Sequence, residues 1–279
     1  MNPPQYKIAS YIDNIFREKK SASFSVHSIF KKSINFSNGD SFFTVTNSEV
    51  PISPLNISLI DSDIRGRFGN ISVFNLEYPF LISENVEIAF KTLETVDTKL
   101  DSFSVPSIDS LREFKKDAIK LTEGKDGIIK LYHTASSDDV LLERLRERVD
   151  TIRKSIEYND ATLFEFELQK LFGLGKGLTP SGDDFIYGLY ATLRTFNLKL
   201  VFRERIEHLI DEGKNRIGDI SLNILKSLRD GHVYIPLKLL FRSLNSNKDC
   251  REHIKNLIDY GSTSGSDILA GVLFALESR

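Results

Sequence analysis

The sequence predicts an α+β protein, with a mostly antiparallel β unit over residues 1–105 and an all-helical unit over residues 106–279. Three observations carry that expectation. Short β-branched and aromatic runs fill the first hundred residues, and apolar residues three and four apart dominate the remainder. Between them, Asp101-Ser102-Phe103-Ser104-Val105-Pro106 breaks the pattern. A chain of 279 residues with 41% hydrophobic side chains can bury a large core.

In chain order, Ile8, Tyr11, Ile12, Ile15 and Phe16 recur at helical spacing and predict one short amphipathic helix over 5–18. Strands are expected in FSVHSIF (24–30), SFFTVTN (41–47), NISLID (56–61), ISVFNL (71–76) and VEIAF (86–90). Turn-rich pieces separate them at Ser37-Asn38-Gly39-Asp40 and at Arg65-Gly66-Arg67-Phe68-Gly69-Asn70. Beyond residue 106, the segments 107–124 and 138–157 read as surface helices with one buried stripe. GIIKLYH (127–133) between them reads as a short strand or a helix fragment. Further helices are expected near 161–172, 182–197, 200–213, 220–229, 234–245, 249–259 and 266–278.

Composition narrows the function classes. The 37 basic and 39 acidic side chains leave a formal charge of −2, which excludes a nucleic-acid binder that works by bulk charge. A single cysteine, Cys250, excludes an internal disulfide framework and a Cys-rich zinc site, and the five histidines show no paired ligand spacing. No apolar run suits a signal peptide or a membrane span, so a cytoplasmic protein without a membrane partner is expected.

One segment stands apart. Residues 173–184 read Gly-Leu-Gly-Lys-Gly-Leu-Thr-Pro-Ser-Gly-Asp-Asp. Gly173, Gly175 and Gly177 alternate, which lets the backbone enter φ > 0 and come close to a ligand. Pro180 and Ser181 then predict a helix start, with Ser181 as cap and Asp184 returning a carboxylate to the first free amides. Glycine loops feeding helix N-termini favour anions through unpaired N–H groups and the helix dipole. Neither the Walker A pattern nor the dinucleotide fingerprint fits, because Lys176 is followed by Gly177 and position 178 is leucine.

Ser181-Gly182-Asp183-Asp184 with Gly188 is matched by Ser264-Gly265-Ser266-Asp267 with Gly271. The repeat predicts two capped helices packed through Gly188 and Gly271, with both N-termini opening on one shared pocket. Ligand-binding candidates are therefore Gly173, Gly175, Gly177, Thr179, Ser181, Gly182, Ser264 and Gly265. Lys176 and Asp183 are the catalytic candidates. Capping would account for Asp184 and Asp267 and leave Asp183 as a ligand-facing base or, through a bridging cation, a metal ligand. Magnesium is the cation that carboxylates beside phosphate oxygens would hold. Asp219 or Ser221 is expected to cap a further helix start, with the alternative that it also faces the pocket.

GLGKGLTPSGDDFIYGL, the later GSTSGSDILAG, and the early VHSIFKKSINF followed by Pro51 and Pro54 resemble the AllH-like family, long catalogued as a domain of unknown function. The resemblance extends from about residue 24 to the end, and the central motif is its specific part. It implies an intracellular subunit of a carbamoyltransferase of allantoin degradation, working with other protein subunits. Its small anionic substrates would be oxalurate and phosphate, exchanging with oxamate and carbamoyl phosphate. The alternative is a non-catalytic assembly or small-molecule-sensing subunit whose glycine loop docks a partner.

Overall fold

In a computed structural model, which describes residues 6–59, 63–84, 86–213 and 217–279, the chain divides into two compact units. The first comprises residues up to Lys99 together with Asp230–Ile235, and the second Leu100–Arg229 with Pro236–Arg279.

The first unit is built on one sheet of nine strands: β1 (Tyr6–Ala9), β2 (Ser21–Ile29), β3 (Ser33–Ser37), β4 (Phe42–Asn47), β5 (Asn56–Leu59), β6 (Val73–Glu77), β7 (Phe80–Ile82), β8 (Glu87–Ala89) and β9 (Glu94–Val96). Their order is β8-β7-β6-β2-β3-β4-β5-β1-β9. Only β4–β5 and β1–β9 pair in parallel among these neighbours. Alternation decides which face is buried: in β6, Phe74 and Leu76 are buried while Val73, Asn75 and Glu77 are exposed. The helix α1 (Ser10–Lys19) lays Ile12 and Phe16 into the resulting core. There Phe43 receives Phe16 and Phe24 edge-on at 5.3 and 5.0 Å and stacks on Phe36 at 5.0 Å. Asp230–Ile235 returns to this unit: the Val233 amide donates to the Thr98 carbonyl at 2.8 Å, and His232 Nδ1 bonds Thr98 Oγ1 at 2.9 Å.

Two expectations change here. The leading helix begins at Ser10, because Tyr6–Ala9 is drawn out as a strand between β5 and β9. The turn at Arg65 contains a short helix, α2 (Ile64–Phe68), capped by the Asp63 carboxylate on the Gly66 amide at 2.8 Å. Ile60 and Asp61 of the expected third strand lie outside the described residues.

The second unit is helical: α3 (Ile108–Leu121), α4 (Val140–Glu157), α5 (Ala161–Leu171), α6 (Ser181–Thr195), α7 (Leu200–Glu212), α8 (Asp219–Arg229), α9 (Ile235–Asn245), α10 (Arg251–Ile258) and α11 (Ser264–Glu277). The ambiguous segment is a 3₁₀ helix over Ile128–Tyr132. Outer helices such as α4 bury one stripe, here Leu142, Leu145, Val149, Ile152 and Ile156, and keep their charges outside. In contrast, α6 is buried at every position but Arg194, and α11 is buried from Gly265 to Leu276. A helix apolar on all sides belongs in a core, so these two form the centre of the unit. No helix among the described residues is long and apolar enough to cross a membrane.

Candidate functional site

The central helices meet as the glycine repeat predicts. A Cβ on Gly188 would collide with the carbonyl oxygen of Ile268, and one on Gly271 with the carbonyl oxygen of Phe185 while standing 2.7 Å from the Leu189 amide nitrogen. Backbone thus touches backbone in both directions, which only glycine permits. Phe185 and Phe274 close the seam edge-to-face at 5.3 Å. The helices run parallel, and their N-termini lie side by side: Thr179 Oγ1, just ahead of α6, is 3.2 Å from Ser264 Oγ at the start of α11.

The expected capping boxes do not form. Pro180 occupies the cap of α6 and Thr263 that of α11, and neither helix has a side-chain cap bond. Ser181 and Ser264 are therefore the first helical residues, one position too far in to reach their own free amides. Each serine instead bears on the carboxyl of the opposite helix, Ser181 on Asp267 and Ser264 on Asp184. The two helix starts exchange partners reciprocally.

Asp184 and Asp267 consequently do not cap. Asp267 Oδ1 accepts the Ile128 amide at 2.5 Å, and Gly127, at φ 97°, leaves no room there for a Cβ. Burial pushes the Asp267 carboxyl up to about 7, opposed by Ser181, the Ile128 amide and Thr263. Burial likewise raises Asp184 well above the usual carboxylate range, opposed by Ser264 and Thr179 and reinforced by the charges of Asp267 and Asp183. Asp183 is raised by burial too, while Ser221 and the Gly173 amide act in the opposite sense.

Asp183 ties the glycine loop to α6. Its Oδ1 accepts the Gly173 amide at 2.8 Å, and the Gly182 amide donates to the Leu174 carbonyl at 2.9 Å. Gly173, Gly175 and Gly177 all have positive φ, at 73°, 138° and 91°. A Cβ on Gly175 would stand 2.5 Å from the Ser181 nitrogen, whereas one on Gly177 would meet open space. Lys176, Gly177 and Leu178 are exposed, and the amides from Gly175 to Thr179 have no acceptor among the described residues.

Of the residues singled out in the sequence, the structure gathers Thr179, Ser181, Gly182, Asp183, Ser264 and Gly265 at the paired helix starts. Gly173, Gly175, Lys176 and Gly177 form the adjoining loop. Gly265 is held there by close approach to the carbonyl of Leu257, as Gly182 is by that of Leu171. Ser221 of α8 is buried with its hydroxyl facing the Asp183 carboxyl, and it does not cap. Asp126 and Gly127, which shape the partner of Asp267, were not picked out by spacing; the Asp-Gly dipeptide was the available signal. No group of three His, Cys, Asp or Glu side chains among the described residues is arranged to hold a metal ion. Asp183, offered as a cation ligand, spends one oxygen on a backbone amide. Cys250 is buried, with its thiol pushed up to about 11 by burial and nearby acids, as expected of an inert cysteine.

The segment that carries this geometry is also the one that matches a known family. Residues 171–276 match the model of the oxamate carbamoyltransferase subunit AllH. The AllH-like resemblance is thereby shown for the segment from the glycine loop through the second helix start, and the match does not reach the β-rich unit. No curated protein and no solved structure matches the chain.

Proposed function

We propose that the chain is a subunit of a carbamoyltransferase-like enzyme and binds a small anion at the glycine loop and the two adjacent helix N-termini. The observation that carries this reading is the loop itself. Five consecutive unpaired amides, bent by three positive-φ glycines beside an exposed lysine, adjoin parallel helix starts. Backbone N–H groups and two aligned helix dipoles favour a compact anion such as carbamoyl phosphate, phosphate or oxamate. The family match over the same residues supports a carbamoyl-transfer setting and the presence of other protein subunits.

The buried acids oppose this reading less than their number suggests. Burial disfavours their ionised forms, so the cluster does not present three full negative charges to the ligand. In this assignment Gly175, Lys176, Gly177, Thr179 and Ser181 cradle the anionic group, with Lys176 neutralising charge that develops during transfer. A docking role for the loop rests on Leu178, which is 43% exposed at its crest. Calorimetric titration of the full chain with phosphate, oxamate and carbamoyl phosphate separates the two. The anion site predicts saturable binding that weakens in Lys176→Ala and Gly177→Val. Binding unchanged in both variants would defeat the assignment. Absence of anion binding, with a stoichiometric protein complex that Leu178→Ser dissolves, would favour docking.

A further inference from the structure

The β-rich unit, which the family match does not reach, carries a cleft of about 390 Å³. One wall is the turn that leaves β2, with Ile29, Phe30 and Lys31, and the other is α2 and its exit, with Arg65, Gly69 and Asn70. Backbone bonds fix both walls. The Phe30 amide donates to the Ser33 carbonyl at 2.8 Å, which closes the β2–β3 turn. The Gly69 amide donates to the Arg65 carbonyl at 2.8 Å, which keeps Asn70 close to Arg65. The volume falls within the ~300–1,000 Å³ of small-molecule sites.

The cations of these two segments are used unequally. Lys32 is taken by Glu49 at 2.8 Å, with Lys31 acting on that carboxylate only from further away. Arg67 lies over the Phe68 ring at 5.4 Å and donates to the Tyr6 hydroxyl at 3.5 Å. Lys31 and Arg65, the two that line the cleft, are exposed and make no ion pair among the described residues. Beside them Phe30 is 47% and Ile29 41% exposed. One exposed apolar side chain is ordinary in a folded protein. Two in succession, lining one cleft with two unspent cations, form a surface that an amphiphilic guest would complete.

An inorganic anion would engage Lys31 and Arg65 and leave Phe30 and Ile29 in water, and a neutral apolar guest would do the reverse. The guanidinium is a planar fork that matches a phosphate or carboxylate and also stacks on flat rings, and a phenyl ring prefers another ring as its neighbour. We infer that this cleft is a further ligand site, independent of the glycine loop, which takes a small anion carrying a flat aromatic body. Lys31 and Arg65 hold the phosphate or carboxylate, Phe30 and Ile29 cover the ring, and Asn70 lies at its polar edge.

Amide chemical shifts of the full chain, followed during titration with 1-naphthyl phosphate, octyl phosphate and inorganic phosphate, test the inference. Naphthyl phosphate should give saturable shifts at Phe30, Lys31, Gly69 and Asn70, about tenfold tighter than either other compound at those residues. The double variant Lys31→Ala/Arg65→Ala should weaken that binding about tenfold or more, and Phe30→Ser should remove the preference over octyl phosphate. All three side chains are exposed, so the variants should fold with thermal midpoints close to wild type. Shifts that inorganic phosphate induces at the glycine loop should be the same in these variants, which keeps the two sites distinguishable. Naphthyl phosphate shifts confined to the glycine loop, or absent altogether, would overturn the inference. Octyl phosphate bound as tightly at the cleft would overturn the aromatic class, and binding unchanged in the double variant would overturn the assignment to these residues.

Discussion

The two Ser-Gly-x-Asp helix starts share a sequence pattern and a packing seam but differ in their surroundings. At α11 the third residue is Ser266, whose hydroxyl donates to carbonyls of Asp126 and Thr263 at 3.1 and 2.7 Å, and Asp267 takes the Ile128 amide. At α6 the third residue is Asp183, bound on one side to an exposed glycine loop, and Asp184 has no backbone donor among the described residues. The shared residues account for packing: serine and aspartate bear on their opposite numbers, and glycine lets the backbones touch. The differing residues are what place the proposed anion site at α6 rather than α11. The α11 start is folded against the 3₁₀ segment, while the α6 start adjoins exposed loop backbone with unspent donors and acceptors.

The seam gives the largest expected effect. Replacing Gly188 or Gly271 by valine forces side-chain atoms into a backbone carbonyl and should cost about 3 kcal/mol or more, read as a lowered urea midpoint. The same change at Gly177 meets open space but strains a backbone at φ 91°, so it should cost less stability than the seam changes, and it should also weaken anion binding.

Next comes a pH effect that belongs to the seam aspartate Asp267. Burial raises the folded-state Asp267 carboxyl from 3.8 to about 7, so between those values the native chain holds a proton that the unfolded chain releases. Its contribution to stability is present below about pH 4 and is lost as pH rises toward 7. Asp267→Asn keeps an acceptor for Ile128 and cannot ionise. Relative to wild type, it should gain about 1 kcal/mol or more between pH 4.5 and 7.5 in urea unfolding. A parallel pH profile in the variant would remove Asp267 as the source.

Smaller effects test the loop. Gly175→Ala places a methyl against the Ser181 nitrogen in a backbone region that alanine avoids, and should weaken anion binding about tenfold. Lys176→Ala should weaken it about three- to tenfold by removing one exposed charge, with stability within about 0.5 kcal/mol of wild type.

How much of this was legible in the sequence follows from the range of the forces involved. Helical periodicity is local, and α3 to α11 lie within a few residues of where apolar spacing places them. Strands β1, β3, β7 and β9 were not separately legible. Three- to five-residue strands of this kind are fixed by their neighbours in the sheet, and Ile8 and Ile12 fit a continuous helix until β5 and β9 claim Tyr6–Ala9. At the site, the repeated glycines revealed the close helix approach, because few other needs explain glycine two turns into a buried helix. The capping boxes misled because pattern alone does not fix which residue is the cap. Pro180, with φ −58° and ψ 151°, already has the extended geometry of a cap, which moves Ser181 into the helix and frees its hydroxyl for Asp267. Ser221 was legible as a helix-start residue that could face the site, whereas the Asp126-Gly127 turn entered through tertiary contact, which no spacing rule reports.

The central claim is that the glycine loop and the adjoining helix start bind a small anion through their backbone amides. Amide chemical shifts of the full chain, followed during titration with carbamoyl phosphate, test it most directly. Saturable shifts centred on Gly175, Lys176, Gly177 and Ser181 are expected. Saturable binding whose shifts fall elsewhere, or spectra that do not change at all, would contradict it.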